Sequence, residues 1–433
     1  MTGSNKRRFV SCVEEDRISN LPEHLISKIL ELLLLQDAVK TSILSKRWRY
    51  RYTKMGALVF NEFFNKFAKN RAFGRNGFIR IINKVLNLHT GPILRFFIYI
   101  PNINMFHNDD SFEEVDQWML LLSRNGVREL IFANSNQCYK LPCYLFSCLE
   151  LTKLTLQNCV FKPPLEFEGF INLTDLYLKY IDFVCGTQIN LPQLGILSLD
   201  TCTNVCNFNI QATKLHNLLV SNCPDVKLLR LLHSPCLTVL GIYFPYLVRE
   251  NVQVERITLE VMLSNLPKIE YLNCDGFFFK VLIEEKIPKW LPNMVNSLKH
   301  LQQLYLHLGD LDQLHGVLCL LRNSPNLESL NVTCLKMDPR VDVGPALNYL
   351  EAPDCLDCTL SKLKSVMMIS LEGSRPELLF IKLLLAHSPC LEKLGIASSG
   401  SCDAKKRFDI AKDVMRFPRA SPKAEAIYLN PEP

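Results

Sequence analysis

Apolar residues in this chain of 433 residues recur in one phrase: apolar, two variable positions, apolar, one variable position, apolar. Leu151-Leu154-Leu156 is followed by Leu173-Leu176-Leu178, Leu194-Leu197-Leu199, Leu215-Leu218-Val220 and Leu237-Leu240-Ile242. The successive intervals are 22, 21, 21 and 22 residues, too regular for chance. Copies with longer, less even spacing follow at Ile269-Leu272-Cys274, Leu301-Leu304-Leu306, Leu327-Leu330-Val332 and Leu391-Leu394-Ile396, and Val127-Leu130-Phe132 reads as an opening copy. Two apolar residues spaced by two point to the same face of a strand. The phrase therefore predicts one short strand per unit, with its first apolar residue seating the preceding turn. One such unit cannot bury its own apolar face, so neighbours must stack into a repeat array.

Eight residues after the first Leu stand Cys159, Cys202 and Cys223. This is the Asn/Cys position of leucine-rich repeats, where a small side chain faces the turn after the strand. These thiols read as structural. A second phrase marks the longer repeats: Leu231-Leu232-His233-Ser234-Pro235-Cys236-Leu237, Leu320-Leu321-Arg322-Asn323-Ser324-Pro325-Asn326-Leu327 and Leu384-Leu385-Ala386-His387-Ser388-Pro389-Cys390-Leu391. Pro ends a helix and extends the residue before it, so each phrase predicts a helix end, a turn and a strand. Repeats of 21–22 residues leave no room for a helix, so real helices are expected only in the second half.

The variable positions of each strand line the opposite, concave surface expected of such an array. They are Lys153, Thr155 and Gln157; Asp175, Tyr177 and Lys179; Ser198 and Asp200; Asn217 and Ser221; Tyr243; Tyr271, Asn273 and Asp275; Gln303, Tyr305 and His307; Ser329, Asn331 and Thr333. The set is polar with aromatics at intervals. Tyr177, Tyr243, Tyr271 and Tyr305 are the candidate anchors for a bound protein, because Tyr is enriched in binding hot spots.

Residues 16–60 follow a different period. Pro22 and Glu23 predict a helix start, and Leu25, Ile29 and Leu33 then fall on one face, widened by Ile26 and Leu30. Asp37 is the expected N-cap of a second helix through Val39 and Leu44 that runs into Ser45-Lys46-Arg47-Trp48-Arg49. So few residues make no stable domain alone, which predicts a partner or a cap on the solenoid.

Composition narrows the picture. Leu supplies 73 residues, Cys 17 and Gly 17. That excludes a disordered chain and a collagen-like one, and the length excludes a small disulfide scaffold. The N-terminus lacks the apolar stretch of a secretory leader, and no apolar run reaches membrane-spanning length. Many thiols without a leader predict the nucleus and/or cytoplasm. Residues 1–80 carry 16 Lys and Arg against 7 Asp and Glu; the remainder carries 33 against 36. A net positive charge is thus absent from the remainder of the chain, which argues against nucleic acid as a partner. Cys355-Leu-Asp-Cys358 is a lone pair without two further zinc ligands, and Cys138, Cys143 and Cys148 have no His pair nearby. No catalytic or phosphate-binding motif occurs. The expectation is no enzyme, no metal, no cofactor and no membrane partner.

Two ends of the chain are recognisable. Asp16-Arg17-Ile18-Ser19-Asn20-Leu21-Pro22-Glu23, with Asp37 through Arg49, resembles the F-box of the plant F-box/leucine-rich-repeat family. Leu363-Lys364 through Gly373, Glu377–Leu385, Leu391-Glu392-Lys393-Leu394 and Phe417-Pro418-Arg419-Ala420-Ser421-Pro422 resemble the FBD module that ends many of its members. Leu34 stands where the family usually has Pro, and Arg51-Tyr52 where it often has Leu-Trp. The resemblance implies an α/β protein: a three-helix F-box, a leucine-rich-repeat solenoid with parallel strands on its concave face, and an FBD cap. The boundaries read as a flexible segment 1–15, F-box 16–60, a linking helix and first solenoid units 61–126, repeats 127–350, and FBD with C-terminal cap 351–433. The FBD is expected to contribute a helix at Glu377–Leu385, a strand at Leu391–Ile396, a helix near Asp409–Phe417 and a strand near Ala424–Leu429. The resemblance also implies a substrate-recognition subunit of an SCF-type ubiquitin ligase. Its F-box would bind a Skp-type adaptor, and through it cullin and RING subunits, while the repeats hold a protein substrate. It places the adaptor contact at Leu21, Pro22, Leu25, Ile29, Leu30, Val39, Leu44 and Trp48, some of which must be internal to the module. The alternative is a receptor in which a small molecule on the repeat surface promotes substrate capture.

Overall fold

The computed structural model describes residues 18, 20–64, 66, 77–101, 112–184, 188–232, 234–244, 258–281, 288–336 and 341–429. The segment 1–15 and His233 lie outside them. The chain divides into two compact units, Met1–Gln137 and Cys138–Pro433.

The first unit opens with α1 (Glu23–Glu31) and α2 (Leu35–Lys40). Leu34 adopts ψ 145°, so an extended residue breaks the two helices without a proline. Asp37, expected as an N-cap, instead sits in the first turn of α2, where its carboxylate meets Lys40 Nζ at 2.7 Å. Nor does α2 run on to Trp48. It tightens into one 3-10 turn, Thr41–Ile43. The Thr41 hydroxyl donates to the Ala38 carbonyl at 2.7 Å, the local competition that disfavours Ser and Thr inside helices. A second 3-10 turn, Arg51–Lys54, is entered through Tyr50 at φ 65° and pinned to the start of α1 by an Arg51–Glu23 ion pair of 2.5 Å.

Three parallel strands follow: β1 (Ala57–Phe60), β2 (Arg95–Ile100) and β3 (Glu129–Asn134). Leu58, Phe96 and Leu130 share one register row, and Phe60, Ile98 and Phe132 the next. Met55-Leu58-Phe60 and Ile93-Phe96-Ile98 are therefore two further copies of the repeat phrase, disguised by Met, Ile and Phe. The strand β1 falls inside the range 16–60 expected for the F-box. Between the strands lie α3 (Gly77–Leu88) and α4 (Glu113–Arg124), joined by a 2.6 Å hydrogen bond from Trp118 Nε1 to Asn83 Oδ1.

The second unit is a parallel ladder. Its strands are β4 (Tyr139–Lys140), β5 (Lys153–Phe161), β6 (Asp175–Phe183), β7 (Gln188–Asn190), β8 (Ile196–Asp200), β9 (Asn209–Gln211) and β10 (Asn217–Ser221), of which β7 and β9 pair with each other as a separate two-stranded sheet. They continue with β11 (Val239–Tyr243), β12 (Tyr271–Asp275), β13 (His300–Leu306), β14 (Ser329–Cys334), β15 (Ser365–Leu371), β16 (Lys393–Ser398) and β17 (Glu425–Leu429). One row of the register runs Leu154, Leu176, Leu197, Leu218, Leu240, Leu272, Leu301, Leu330, Val366 and Leu394, each buried.

That row corrects one phase. The pairing aligns Leu301 with the second apolar position of its neighbours, not the first, so Leu298 is the residue that seats the turn. A bulge at Gln303, φ 50°, inserts one residue before Leu304. With Leu298 in place, the intervals from Ile269 and to Leu327 are both 29 residues. Leu363-Val366-Met368 is a copy that the phrase search passed over.

Past the shared rows, Asn158, Tyr180, Thr201 and Asn222 form a column of left-handed residues, φ 51–57°, one per repeat. The kink turns Cys159, Ile181, Cys202 and Cys223 inward, where all four are buried. Asn tolerates this backbone and a β-branched residue does not. Thr201→Asn should therefore raise stability by about 1 kcal/mol in a urea titration; an unchanged or lowered midpoint would show that the Thr201 hydroxyl bond to Asp200 (2.9 Å) outweighs the strain.

Helices are sparse early and regular later. They are α5 (Leu228–Leu231), α6 (Leu259–Ser264), α7 (Gly276–Val281), α8 (Leu311–Asn323), α9 (Gly344–Glu351), α10 (Arg375–His387) and α11 (Ala404–Arg416). The elements expected for residues 377–429 are all present, as α10, β16, α11 and β17. A capping box of Ser374 and Glu377 starts α10. Burial raises the Glu377 carboxyl, and the amides it accepts from, Ser374 first, oppose that.

Candidate functional site

The first unit presents an apolar face. Ile26, Leu30, Leu35, Ala38 and Trp48 form the inside of the helical module, and Trp48 Nε1 donates to the Ile18 carbonyl at 3.2 Å. Leu30 and Trp48 were expected at the adaptor contact; both are about 2% exposed and hold the module together instead. For Leu30 the place follows from helix phase, since it lies one turn after Ile26 on the inner face of α1. Leu25, Ile29, Val39 and Leu44 face outward, Pro22 is exposed and Leu21 half-buried. Beside them Leu32 and Ile43 are each 87% exposed, two residues that the helix pattern alone did not single out. Their signal was the turn position itself, where a Leu or Ile has no inner face to serve. Scattered exposed apolar residues are ordinary, but a cluster on one small module marks an interaction site.

The second unit presents the other surface. Lys153, Thr155, Gln157, Asp175, Tyr177, Lys179, Ser198 and Asp200 all stand away from the buried rows. Lys179 and Asp200 pair at 2.8 Å across adjacent repeats, and the Asp200 hydrogen bond holds the lysine above its usual range. From β10 to β15 the variable positions carry no Asp, Glu, Lys or Arg on the exposed face. The sheet brings four aromatic rings together there. Tyr243 and Tyr305 meet edge to face at 6.0 Å, and the Tyr243 hydroxyl donates to Gln303 Oε1 at 2.8 Å. Tyr271 stacks at 4.3 Å on His300, whose Nδ1 meets the Ser329 hydroxyl at 2.8 Å. Burial pushes the Tyr243 hydroxyl well up, so it stays a neutral donor at physiological pH.

Two members of the expected row sit elsewhere. Asp275 is buried, because β12 passes directly into α7 there; its carboxylate accepts from Phe244 N and, at 2.9 Å, from Phe278 N. Burial raises its pKa against those amide bonds. His307 is half-buried just past β13, and its amide donates to Gln313 Oε1 at 2.8 Å. The residue that takes its place beside Tyr271 is His300, which the phase error at Leu301 had hidden.

The cysteines of the turn position behave as packing. The Cys159, Cys202 and Cys223 thiols donate to carbonyls of their own or the preceding repeat at 3.3–3.5 Å. Burial raises Cys159, and the Cys202 thiol together with burial raises Cys223. Cys355, also buried, is pushed up to about 11. Among the described residues no cluster of His, Cys, Asp and Glu could hold a metal ion, and no helix is long and apolar enough to cross a membrane.

Comparison with known proteins decides the family. The model "FBD-associated F-box protein At5g56370, LRR repeats" matches residues 115–332, the F-box domain model residues 18–51 and the FBD model residues 354–396. F-box/FBD/LRR-repeat protein At1g13570 of Arabidopsis thaliana is 32% identical over 425 residues, spanning 96% of this chain and 99% of that protein. The chain belongs to the F-box/FBD/leucine-rich-repeat family. The probable FBD-associated F-box protein At1g32375 of Arabidopsis thaliana is 24% identical over 95% of this chain and 100% of its own length. The family is of adaptor type and not a catalytic one, and F-box domains generally bind Skp-type adaptors in SCF ubiquitin ligases. The exposed apolar residues 18–44 thus lie inside the F-box match.

Proposed function

We propose that this chain is the substrate-recognition subunit of an SCF-type ubiquitin ligase. The F-box face of Leu25, Ile29, Leu32, Val39, Ile43 and Leu44 docks the Skp-type adaptor, and the exposed sheet face of the second unit binds a protein substrate. The observation that carries this reading is the cluster of outward apolar residues on a module whose own core is already filled by Ile26, Leu30, Leu35 and Trp48. Such a face gains about 1.5–3 kcal/mol for each large side chain fully buried on docking. The protein performs no bond chemistry in this role; it raises the local concentration of substrate lysines at the ubiquitin-loaded enzyme.

The test is co-expression with a Skp-type adaptor under reducing conditions. A stable complex that elutes as one species supports the reading, and a chain that elutes alone sinks it. Substrate recognition has its own readout. Tyr243→Ala combined with Tyr305→Ala removes the central aromatic pair, and each anchor is worth about 2 kcal/mol if it is a hot spot. Proteins that accumulate on an adaptor-binding-deficient chain in proximity labelling should be lost from this double variant while adaptor binding persists. Unchanged labelling would place substrate recognition off the sheet face.

A further inference from the structure

The helix α11 has a worked inner face and an unoccupied outer one. Ile410 and Val414 are buried, whereas Phe408 and Met415 are each 68% exposed. Successive helical residues are about 100° apart, so Phe408 and Met415, seven apart, lie on one outward strip. On the strip beside it lie Lys405, Lys412 and Arg416, all exposed. None of the three takes part in an ion pair among the described residues. Arg407, on the inner side, is spent on the Cys402 carbonyl at 2.9 Å. Asp409 and Asp413 follow on the far side of the cations.

We propose that this outer face of α11 docks an amphipathic acidic helix of a partner protein, with Phe408 and Met415 as anchors and Lys405, Lys412 and Arg416 as the charged flank. A helix presenting apolar residues at i and i+7 beside a cationic flank is a recurrent recognition geometry. The arrangement of charge selects the partner. Lys405, Lys412 and Arg416 line one flank with Asp409 and Asp413 beyond them, whereas Arg407 on the other flank is held by the Cys402 carbonyl and Lys406 lies on the side away from the strip; one cationic edge suits an opposing helix with acids along one edge. An anionic bilayer would favour cations on both flanks and would repel Asp409 and Asp413. The site is remote in sequence from the F-box, so it adds a partner without competing for the adaptor residues.

The test pans a random-peptide phage library against the full chain in complex with its adaptor. The same pool is panned in parallel against F408S/M415S and K405E/K412E/R416E, both of which alter only exposed side chains and should keep the wild-type thermal melt. Peptides recovered on the wild type should combine Asp or Glu with apolar residues at helical spacing. They should bind each variant about tenfold or more weaker and weaken further as ionic strength rises. Peptides that bind all three chains equally, or no enrichment at all, overturn the proposal. So does co-sedimentation of the wild type, but not the charge variant, with phosphatidylcholine–phosphatidylserine vesicles in the absence of peptide enrichment, which would assign the face to a membrane.

Discussion

Ile29→Asp is expected to cut adaptor binding by about a hundredfold or more while leaving the F-box folded. The side chain is 37% exposed on the outward face of α1, so the free protein hydrates the new carboxylate at little cost. In the docked state the same carboxylate is enclosed by apolar surface without a partner. Burying an unpaired polar group costs about 1–3 kcal/mol in proteins, and an unpaired charge more. The lost apolar contact adds to it, and every 1.4 kcal/mol is about tenfold in affinity. Ile26→Asp is the informative contrast. Ile26 is only 1% exposed, so its replacement should unfold the helical module and abolish binding for a trivial reason. The measurement is adaptor affinity alongside a urea titration. If Ile29→Asp binds normally with normal stability, the adaptor uses another face, and the assignment of Leu25, Ile29, Leu32, Val39, Ile43 and Leu44 is wrong.

Arg322→Ala should destabilise the second unit by about 3 kcal/mol, the largest stability loss expected for a single polar side chain here. Arg322 lies in the last turn of α8 and is 3% exposed. Its Nη2 donates to the Tyr349 hydroxyl at 2.8 Å and to the Cys355 carbonyl, and Nε faces Asp357 at 3.4 Å. These bonds tie α8 of the repeats to α9 and to the turn that opens the FBD match. Truncation leaves a buried carbonyl and a hydroxyl without donors, while the Asp357 carboxylate keeps its second cation, Lys289, at 3.1 Å. Asp357 is a third exposed, so water recovers part of the ionic loss and the buried carbonyl dominates. Arg322→Lys should recover less than half, because one ammonium cannot span acceptors that the planar guanidinium reaches together. An Ala variant within about 0.5 kcal/mol of wild type would show that the turn repacks without this staple.

The ladder departs from the strict Leu phrase in two opposite ways. The phrase was read as a strict spacing, and one inserted residue at Gln303 moved the frame by one apolar position, hid His300 and promoted His307. A bulge leaves no mark in composition, because any residue can be the extra one. Met55-Leu58-Phe60 and Ile93-Phe96-Ile98 were missed for the opposite reason: their spacing is regular but their residues are not Leu. The Ser before the Pro is not uniform in role: in the second phrase the buried Ser324 and Ser388 hydroxyls have no hydrogen-bond partner among the described residues, whereas Ser234 and, outside that phrase, Ser421 reach back along the ladder. Ser234 Oγ donates to the Leu215 carbonyl and Ser421 Oγ to the Leu391 carbonyl, each at 2.7 Å, one repeat back.

By itself the sequence determined the repeat ladder from Val127 on, the helix-poor units of 21–22 residues and the helix-bearing longer ones, and the family. Those properties follow from spacing and from residues that act on their nearest neighbours along the chain. Only the tertiary structure decided which apolar residues of the F-box face inward. Leu30 and Ile29 are adjacent Leu and Ile on one helix, and nothing in their identity separates them; the assembled module sets which face of α1 turns inward, and Leu30 shares that face with Ile26. The same holds for the exposed sheet face, where Tyr243 meets Tyr305 and Gln303 from strands 60 residues apart. Contacts at that separation depend on register, and register is a property of the assembled ladder, not of any one repeat.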